Sequence, residues 1–210
     1  MSDLQRVGGV FGGSGTPVPF TASVSGSQRV NDAHGRYLDA VMGNRVWLLS
    51  SAAAAPTAYV GAAGGTPLLA VHNPLSSGKV LALLAIGFGQ RAIATVAGQT
   101  ALAAWAGVSV LPTGTTTAPR SALSYVASGS AGVGFVNAAL TSSTALNLVL
   151  PVYTHYWATA AAAWSAPSMF LIDGLVVATP GNQIAVGVTV VPTTVTVDVS
   201  MLWEEIPNLS

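Results

Sequence analysis

The stretch that decides the fold is QIAVGVTVV at residues 183–191, followed by TTVTVDVSMLWEEI at residues 193–206. Large apolar residues alternate with small or polar ones in both: Ile184, Val186, Val188 and Val190, then Val195, Val197, Val199, Met201 and Trp203. Alternation with a period of two is typical of β-strands that bury one face. Because only a short connection around Pro192 separates the segments, we expect them to form a β-hairpin.

Upstream, short apolar runs separated by turn signals continue back to Arg45. We expect KVLALLAIGF (79–88) and RAIATVAG (91–98) to form separate strands, because Gly87 and Gly89 interrupt the apolar sequence where the first ends. Eight to ten short strands at such spacing predict an all-β domain over residues 45–210, an antiparallel β-sandwich of jelly-roll-like character.

Residues 1–44 differ from the rest and predict an extended N-terminal arm with one short helix. Glycine, serine and proline punctuate the first 30 residues, which hold three apolar anchors, Phe11, Val18 and Phe20. A disordered tail is one interpretation, and an arm that buries these anchors on a neighbouring subunit is the other. The helix is expected within residues 31–44, capped by Asp32, with an apolar face made of Tyr37, Leu38, Val41 and Met42.

Charge is scarce in this chain. Seven Lys and Arg residues balance seven Asp and Glu residues, so only 7% of the 210 residues are charged. Nucleic-acid binding is not expected, since it depends on basic residues that neutralise phosphates. There are no cysteines, which excludes disulfides and thiolate metal sites. The apolar runs are broken by polar residues and glycines, so we expect no membrane span.

The residues that carry chemistry are isolated from one another. His34, His72 and His155 lack metal-binding spacing, and Glu204 and Glu205 must point to opposite faces of a strand. We therefore expect no catalytic residues, no metal and no cofactor, and predict that the protein is not an enzyme. A hydrolase with a convergent site, built from the histidines with Asp173 and Asp198, is the alternative.

One aromatic cluster lies within YTHYWATAAAAW, and its members are Tyr153, Tyr156, Trp157 and Trp164. Exposed aromatic rings with polar edges would suit a platform for stacking carbohydrates. The other interpretation is that Tyr153 and Trp157 cap the core while Tyr156 bonds at a subunit interface, where tyrosine and tryptophan are enriched. The second interpretation is favoured.

A sandwich of this size exposes a large surface that fourteen charged side chains must cover. At zero net charge a free monomer is prone to association. We therefore expect much of the surface to be covered by identical copies or by a larger assembly, through broad interfaces of core-like composition.

Three motifs give a resemblance to known proteins. They are Gly35, Arg36, Tyr37, Ala40, Gly43 and Asn44, then Asn73, Pro74, Ser77, Gly78 and Lys79, then the terminal Trp203-Glu-Glu-Ile-Pro207. In these segments the chain resembles virion structural proteins of tailed bacteriophages. It is similar to the trimeric β-sandwich decoration, or cement, proteins that sit on capsids.

The resemblance implies a non-enzymatic protein on the capsid surface of a virion, a homotrimer that bridges and stabilises neighbouring copies of the major capsid protein. The alternative is a tail, baseplate or fibre-head protein that binds host glycans through the aromatic cluster. The motifs are structural and do not distinguish the head, the tail and the fibre.

Overall fold

The structure is a computed structural model of the 210-residue chain. It describes residues 10–11, 17–18, 21–22, 28–29, 37–51, 58–59, 62, 65–92, 98–108, 111–114, 116–136, 146, 148–157, 168–190 and 196–208.

The chain divides into two compact units, Met1–Leu38 and Asp39–Ser210. In the first unit, β1 (Val10–Phe11) pairs with β2 (Pro17–Val18), and β3 (Thr21–Ala22) pairs with β4 (Gln28–Arg29). Both pairs are antiparallel. The expected division of the chain into 1–44 and 45–210 stays a prediction.

The single helix among the described residues, α1 (Leu38–Met42), confirms the short helix expected between residues 31 and 44. Its predicted apolar face is wrong, because Ala40 is the buried residue while Leu38 and Met42 are exposed. The five residues make too short a helix to align one apolar stripe over two turns, so the smallest side chain makes the closest contact.

The second unit contains two six-stranded antiparallel sheets. The strands of the first, here called sheet I, are β5 (Val46–Ser50), β7 (Lys79–Ala92), β10 (Arg120–Ser121), β13 (Ser168–Leu171), β14 (Val177–Ala178) and β16 (Thr196–Pro207). The strands of the second, sheet II, are β6 (Leu69–His72), β8 (Gly98–Val108), β9 (Thr116–Thr117), β11 (Val133–Val136), β12 (Leu148–Trp157) and β15 (Asn182–Val190).

Sheet I has the order β10-β5-β16-β7-β13, with β14 also pairing with β7, and sheet II has the order β12-β8-β15-β6-β11-β9. Side chains from both sheets form one buried cluster that includes Trp47, Leu69, Leu102, Val186 and Trp203. Two sheets that bury a shared apolar layer make a β-sandwich. The expected all-β fold is confirmed.

The predicted hairpin of residues 183–206 is wrong. β15 lies in sheet II between β8 and β6, whereas β16 lies in sheet I between β5 and β7. No two strands that follow one another in the second unit pair directly within its described part. Alternating sequence shows which face of a strand is buried, but it does not show which strand pairs with it.

β16 buries the predicted face, with Val197, Val199, Met201 and Trp203 each at most 1% exposed. β15 differs, since every residue from Gln183 to Val188 is buried. A second cluster, which includes Tyr59, Trp105, Phe135 and Leu146, lies on the other face of sheet II. The small residues of β15 are therefore covered by the chain itself and do not face solvent.

β7 is one continuous strand of 14 residues, where the sequence indicated a break at Gly87 and Gly89. Gly87 lies opposite Ser200 of β16, and a β-carbon at Gly87 would collide with the Ser200 hydroxyl. This glycine allows close approach of two strands and does not form a turn.

Candidate functional site

The end of the first motif, at Asn44, meets the second and third motifs at one end of sheet I. β16, which carries Trp203 to Pro207, lies between β5 and β7. Trp203 pairs with Trp47 on one side, and Pro207 pairs with Lys79 on the other. The amide of Glu205 donates to the carbonyl of Arg45, immediately after Asn44, at 2.8 Å. Segments more than 120 residues apart in sequence thus form one structural cluster.

The Asn73 motif joins the two sheets. Its completely buried side chain donates from Nδ2 to the carbonyls of Lys79 and Ala178, both at 2.8 Å. Its backbone amide donates to Asn182, and its carbonyl accepts from Gly181, again at 2.8 Å. A buried side-chain amide bonded to two strands fixes their separation. Asn73 therefore holds the turn that carries the chain from sheet II to sheet I.

Gly78 and Lys79 complete this turn. Gly78 has a φ of 60°, and its carbonyl accepts from the amide of Asn208 at 2.9 Å. The Ser77 hydroxyl accepts from the Lys79 amide at 3.2 Å. These groups serve a turn of the backbone.

Glu205 is the one carboxylate that is fully buried in the described part of the chain, with 4% exposure. It accepts hydrogen bonds from the Ser130 hydroxyl at 2.7 Å and from the amides of Ala131 at 2.9 Å and Gly132 at 3.3 Å. Successive amides around one carboxylate compensate for the loss of its hydration. The side chain fixes the 129–132 loop to the end of β16.

Glu204 points the other way, as expected for adjacent residues on a strand. Its carboxylate lies 3.1 Å from the Arg45 guanidinium, and both side chains retain solvent contact. The prediction that the two glutamates face opposite sides is confirmed, and a pair of facing catalytic carboxylates is not formed by them.

Asn44 and Ser121 form a further link in this cluster. The Ser121 hydroxyl donates to the Asn44 side-chain oxygen and accepts from the amides of Leu123 and Ser124. Asn44 has a φ of 52°, in the left-handed region that asparagine tolerates better than most residues. The last residue of the first motif therefore terminates the α1 segment and anchors the turn after β10.

Tyr153 bridges the two sheets along one side of the sandwich. It lies on the edge strand β12 of sheet II, and its ring centroid is 5.0 Å from Phe170 of β13 and 6.1 Å from Phe88 of β7. Its side chain is partly buried against the main core. This geometry supports the interpretation in which Tyr153 closes the core, since two of its neighbours are core aromatic rings.

The structure describes the other proposed site residues only in part. The backbone of Tyr156 pairs with Gln99 and that of Trp157 with Gly98, while their side chains and the whole of Trp164 lie outside the described residues. Phe11 and Val18 belong to the paired strands β1 and β2, and Phe20 lies outside the described residues. The arm interface and the glycan platform both stay predictions.

The two aspartates of the hydrolase alternative are held apart by β7. The amide of Asp173 donates to Leu84, whereas Asp198 pairs with Gly89. Five residues along a strand correspond to roughly 16 Å. These carboxylates therefore do not share a site.

His72 is the one histidine whose side chain the structure describes. It lies at the end of β6, paired with Val133 and Gln183, and is 7% exposed. Burial lowers its pKa below 6.5, because desolvation disfavours the charged imidazolium. His34 lies outside the described residues, and only the backbone of His155 is placed, paired with Thr100.

No group of three or more His, Cys, Asp or Glu side chains is arranged to hold a metal ion within the described part of the chain. None of its helices has the length and apolar character needed to cross a membrane.

Comparison of the chain with models of known protein families, with curated proteins and with solved structures gives no significant match. The resemblance to phage virion proteins therefore depends on the three quoted motifs alone.

Sequence reasoning missed the buried roles of Glu205 and Asn73. The burial of Glu205 could have been predicted from its position, since it lies on the same face of β16 as Met201 and Trp203. For Asn73 the signal was its place directly after an apolar strand and before proline, where a side-chain amide commonly bonds to the local backbone.

Proposed function

We propose that the chain is a non-enzymatic virion structural protein, a decoration protein that binds the capsid surface as a homo-oligomer. It would bridge neighbouring copies of the major capsid protein, and the resemblance implies a trimer. The stabilisation would come from apolar area buried at many equivalent contacts. The arm around Phe11, Val18 and Phe20 would clasp a neighbour.

The distribution of polar and apolar residues supports this proposal. The polar residues of the motifs stabilise the fold, and the surface is apolar with few charges. Asn44, Asn73 and Glu205 bond to the chain's own backbone or side chains. The apolar residues Met169 and Leu171, neighbours on one face of β13, are 67% and 57% exposed. Exposed apolar surface of this kind is typical of proteins that are covered in an assembly.

The test is to locate the chain in purified phage particles by single-particle imaging, aided by an antibody raised against the recombinant protein. A β-sandwich seated across neighbouring capsid subunits is the expected result. Density confined to the tail would favour the alternative, a tail protein. Particles that lack the chain would contradict any role in the virion.

The alternative, a tail or fibre-head protein that binds host glycans, depends on the rings at 153–164. Because Tyr153 packs between the two sheets, glycan binding would have to depend on Tyr156, Trp157 and Trp164. A glycan array probed with the full chain separates the two functions, because a decoration protein should bind no glycan. Specific binding that is lost on Trp157→Ala would favour the alternative.

A further inference from the structure

The two sheets of the sandwich differ in what lies over their outer faces. The outer face of sheet II carries the buried cluster that includes Tyr59, Trp105, Phe135 and Leu146. Tyr59 meets Trp105 edge-on, with ring centroids 4.7 Å apart, so a segment of this chain packs on that face. The outer face of sheet I, in contrast, includes exposed apolar side chains on β13.

Strand register defines the outer face of sheet I as rows of apolar or small residues. One row runs across four strands through Leu171, Ala85, Leu202 and Leu48. The next row runs through Met169, Gly87, Ser200 and Ser50. The inward neighbours Met201 and Trp203 are fully buried, which places these rows on the opposite side of the sheet. We call this surface the sheet I face.

The sheet I face carries both a projection and a recess. Met169 is 67% exposed and Leu171 is 57% exposed on β13. Beside them lies an open recess of about 420 Å³ whose lining includes Ser50, Gly87, Gly89 and Ser200. A surface with a projecting side chain next to a recess lined by small residues can fit a copy of itself across a two-fold axis.

The size and charge of the face suit the same occupant. The five strands have 2, 5, 12, 14 and 4 residues, and at about 3.3 Å per residue and 4.8 Å between strands they give a face of roughly 600 Å². Specific interfaces bury about 600–1,000 Å² on each partner, so the face reaches the lower end of that range. Glu204 on this face is paired with Arg45, and Asp198 is the second carboxylate of the face and lines the recess. The chain has no net charge, so no net repulsion opposes the approach of two copies.

The β12 edge of sheet II is less suited to contact between two copies. β12 is a ten-residue edge strand in the described sheet, but it contains Pro151 and a bulge between Pro151 and Tyr153. Proline removes a donor and a bulge twists the edge, and both devices oppose edge-to-edge pairing. A face-to-face contact is therefore favoured over extension of the sheet.

From these observations we infer that the sheet I face binds a second copy of this chain across a two-fold axis near Ser200. Met169 and Leu171 of each copy fill the recess of the other. This contact goes beyond the proposed function and does not depend on it. A two-fold contact gives an even number of copies, whereas the trimer implied by the resemblance needs a different surface.

The test measures the mass of the full chain by light scattering over a range of concentrations, for the wild type and for Met169→Glu/Leu171→Glu. We expect the wild type at twice 21.0 kDa or an even multiple, and the double variant at a lower mass with an unchanged circular dichroism spectrum. Leu75→Glu is the matched control, because Leu75 is 83% exposed but lies in a turn away from the face. Its mass should equal that of the wild type.

Cysteine cross-linking gives a second readout, since the wild-type chain has no cysteine. Ser200→Cys should be cross-linked between copies by a short bismaleimide, since packed sheet faces lie about 10 Å apart, beyond the reach of a disulfide, and Ser124→Cys, on the exposed turn after β10, should not. A monomeric wild type, an odd-numbered oligomer, or a mass insensitive to the double variant would overturn the inference. A trimer bound to capsids would overturn it while leaving the proposed function in place.

Discussion

The Ser130 hydroxyl donates a 2.7 Å hydrogen bond to the carboxylate of Glu205, which lies 75 positions later in the chain. This contact joins a loop that follows β10 to the end of the last strand. Because the carboxylate is buried, its three donors determine whether the end of sheet I is stable.

Replacing Glu205 with glutamine should destabilise the fold by about 2 kcal/mol, since a neutral amide weakens the charge-assisted bonds from Ala131 and Gly132 and puts a donor at the second oxygen, which accepts from the Ala131 amide at 3.1 Å. Urea unfolding followed by circular dichroism measures the change. Glu204→Gln is the matched control and should cost less than about 1 kcal/mol, because its ion pair with Arg45 is at the surface. Equal losses in the two variants would contradict this role.

Tyr153 should contribute through its ring. We expect Tyr153→Ala to lower the free energy of unfolding by about 2–3 kcal/mol, below the range for a fully buried ring because the side chain is partly exposed. Tyr153→Phe keeps the contacts with Phe88 and Phe170 and should cost less. Tyr125→Ala, at a residue that is 75% exposed, should change stability by under about 0.5 kcal/mol. A neutral Tyr153→Ala would show that the ring does not support the core.

His72 should make stability depend on pH. Its folded pKa lies below 6.5, so the unfolded chain binds the proton more readily below that pH. The contribution is fully present above about pH 6.5 and is lost as the pH falls, by at most about 1.4 kcal/mol per pH unit for one proton. Urea midpoints at pH 7.5 and 5.5 should differ more for the wild type than for His72→Gln. Parallel pH profiles would contradict the assignment.

Two glycines in strands should respond differently to alanine. At Gly134 of β11, a β-carbon would lie 2.6 Å from the Thr117 carbonyl oxygen and 3.0 Å from Leu49. We expect Gly134→Ala to destabilise by about 1–3 kcal/mol, since the backbone of β9 must move. At Gly89 the nearest atom would be 4.0 Å away, so Gly89→Ala should stay within about 0.5 kcal/mol. Thermal unfolding of both variants gives the comparison.

Deleting residues 1–30 should leave the sandwich folded, because Asp39–Ser210 forms a compact unit that contains both six-stranded sheets. The unfolding midpoint should be unchanged, while occupancy on capsid particles should fall if the arm clasps a neighbour. Full occupancy of the truncated chain would show that the arm is not the clasp. A lost unfolding transition would show instead that the sandwich needs the arm.

The sequence predicted the fold class and the buried face of β16 because alternation is a local property of the chain. It also predicted that Glu204 and Glu205 diverge, for the same reason. It predicted the partner of β15 wrongly, since β15 and β16 enter different sheets although few residues join them. Pairing depends on which strands close the shared core, and that choice involves residues throughout the chain.

Taken alone, the sequence determined an all-β chain of low charge with few groups for chemistry. Only the tertiary structure decided what the remaining polar groups do. Glu205 and Asn73 are buried because distant backbone amides and carbonyls reach them, and no local pattern encodes those partners. The small residues of β15 and of β7 follow similar sequence patterns, but Tyr59 packs against Gly187 in sheet II, whereas Met169 and Leu171 on the sheet I face are exposed. The coverage of each face depends on the path of the whole chain, which is why it is decided in three dimensions.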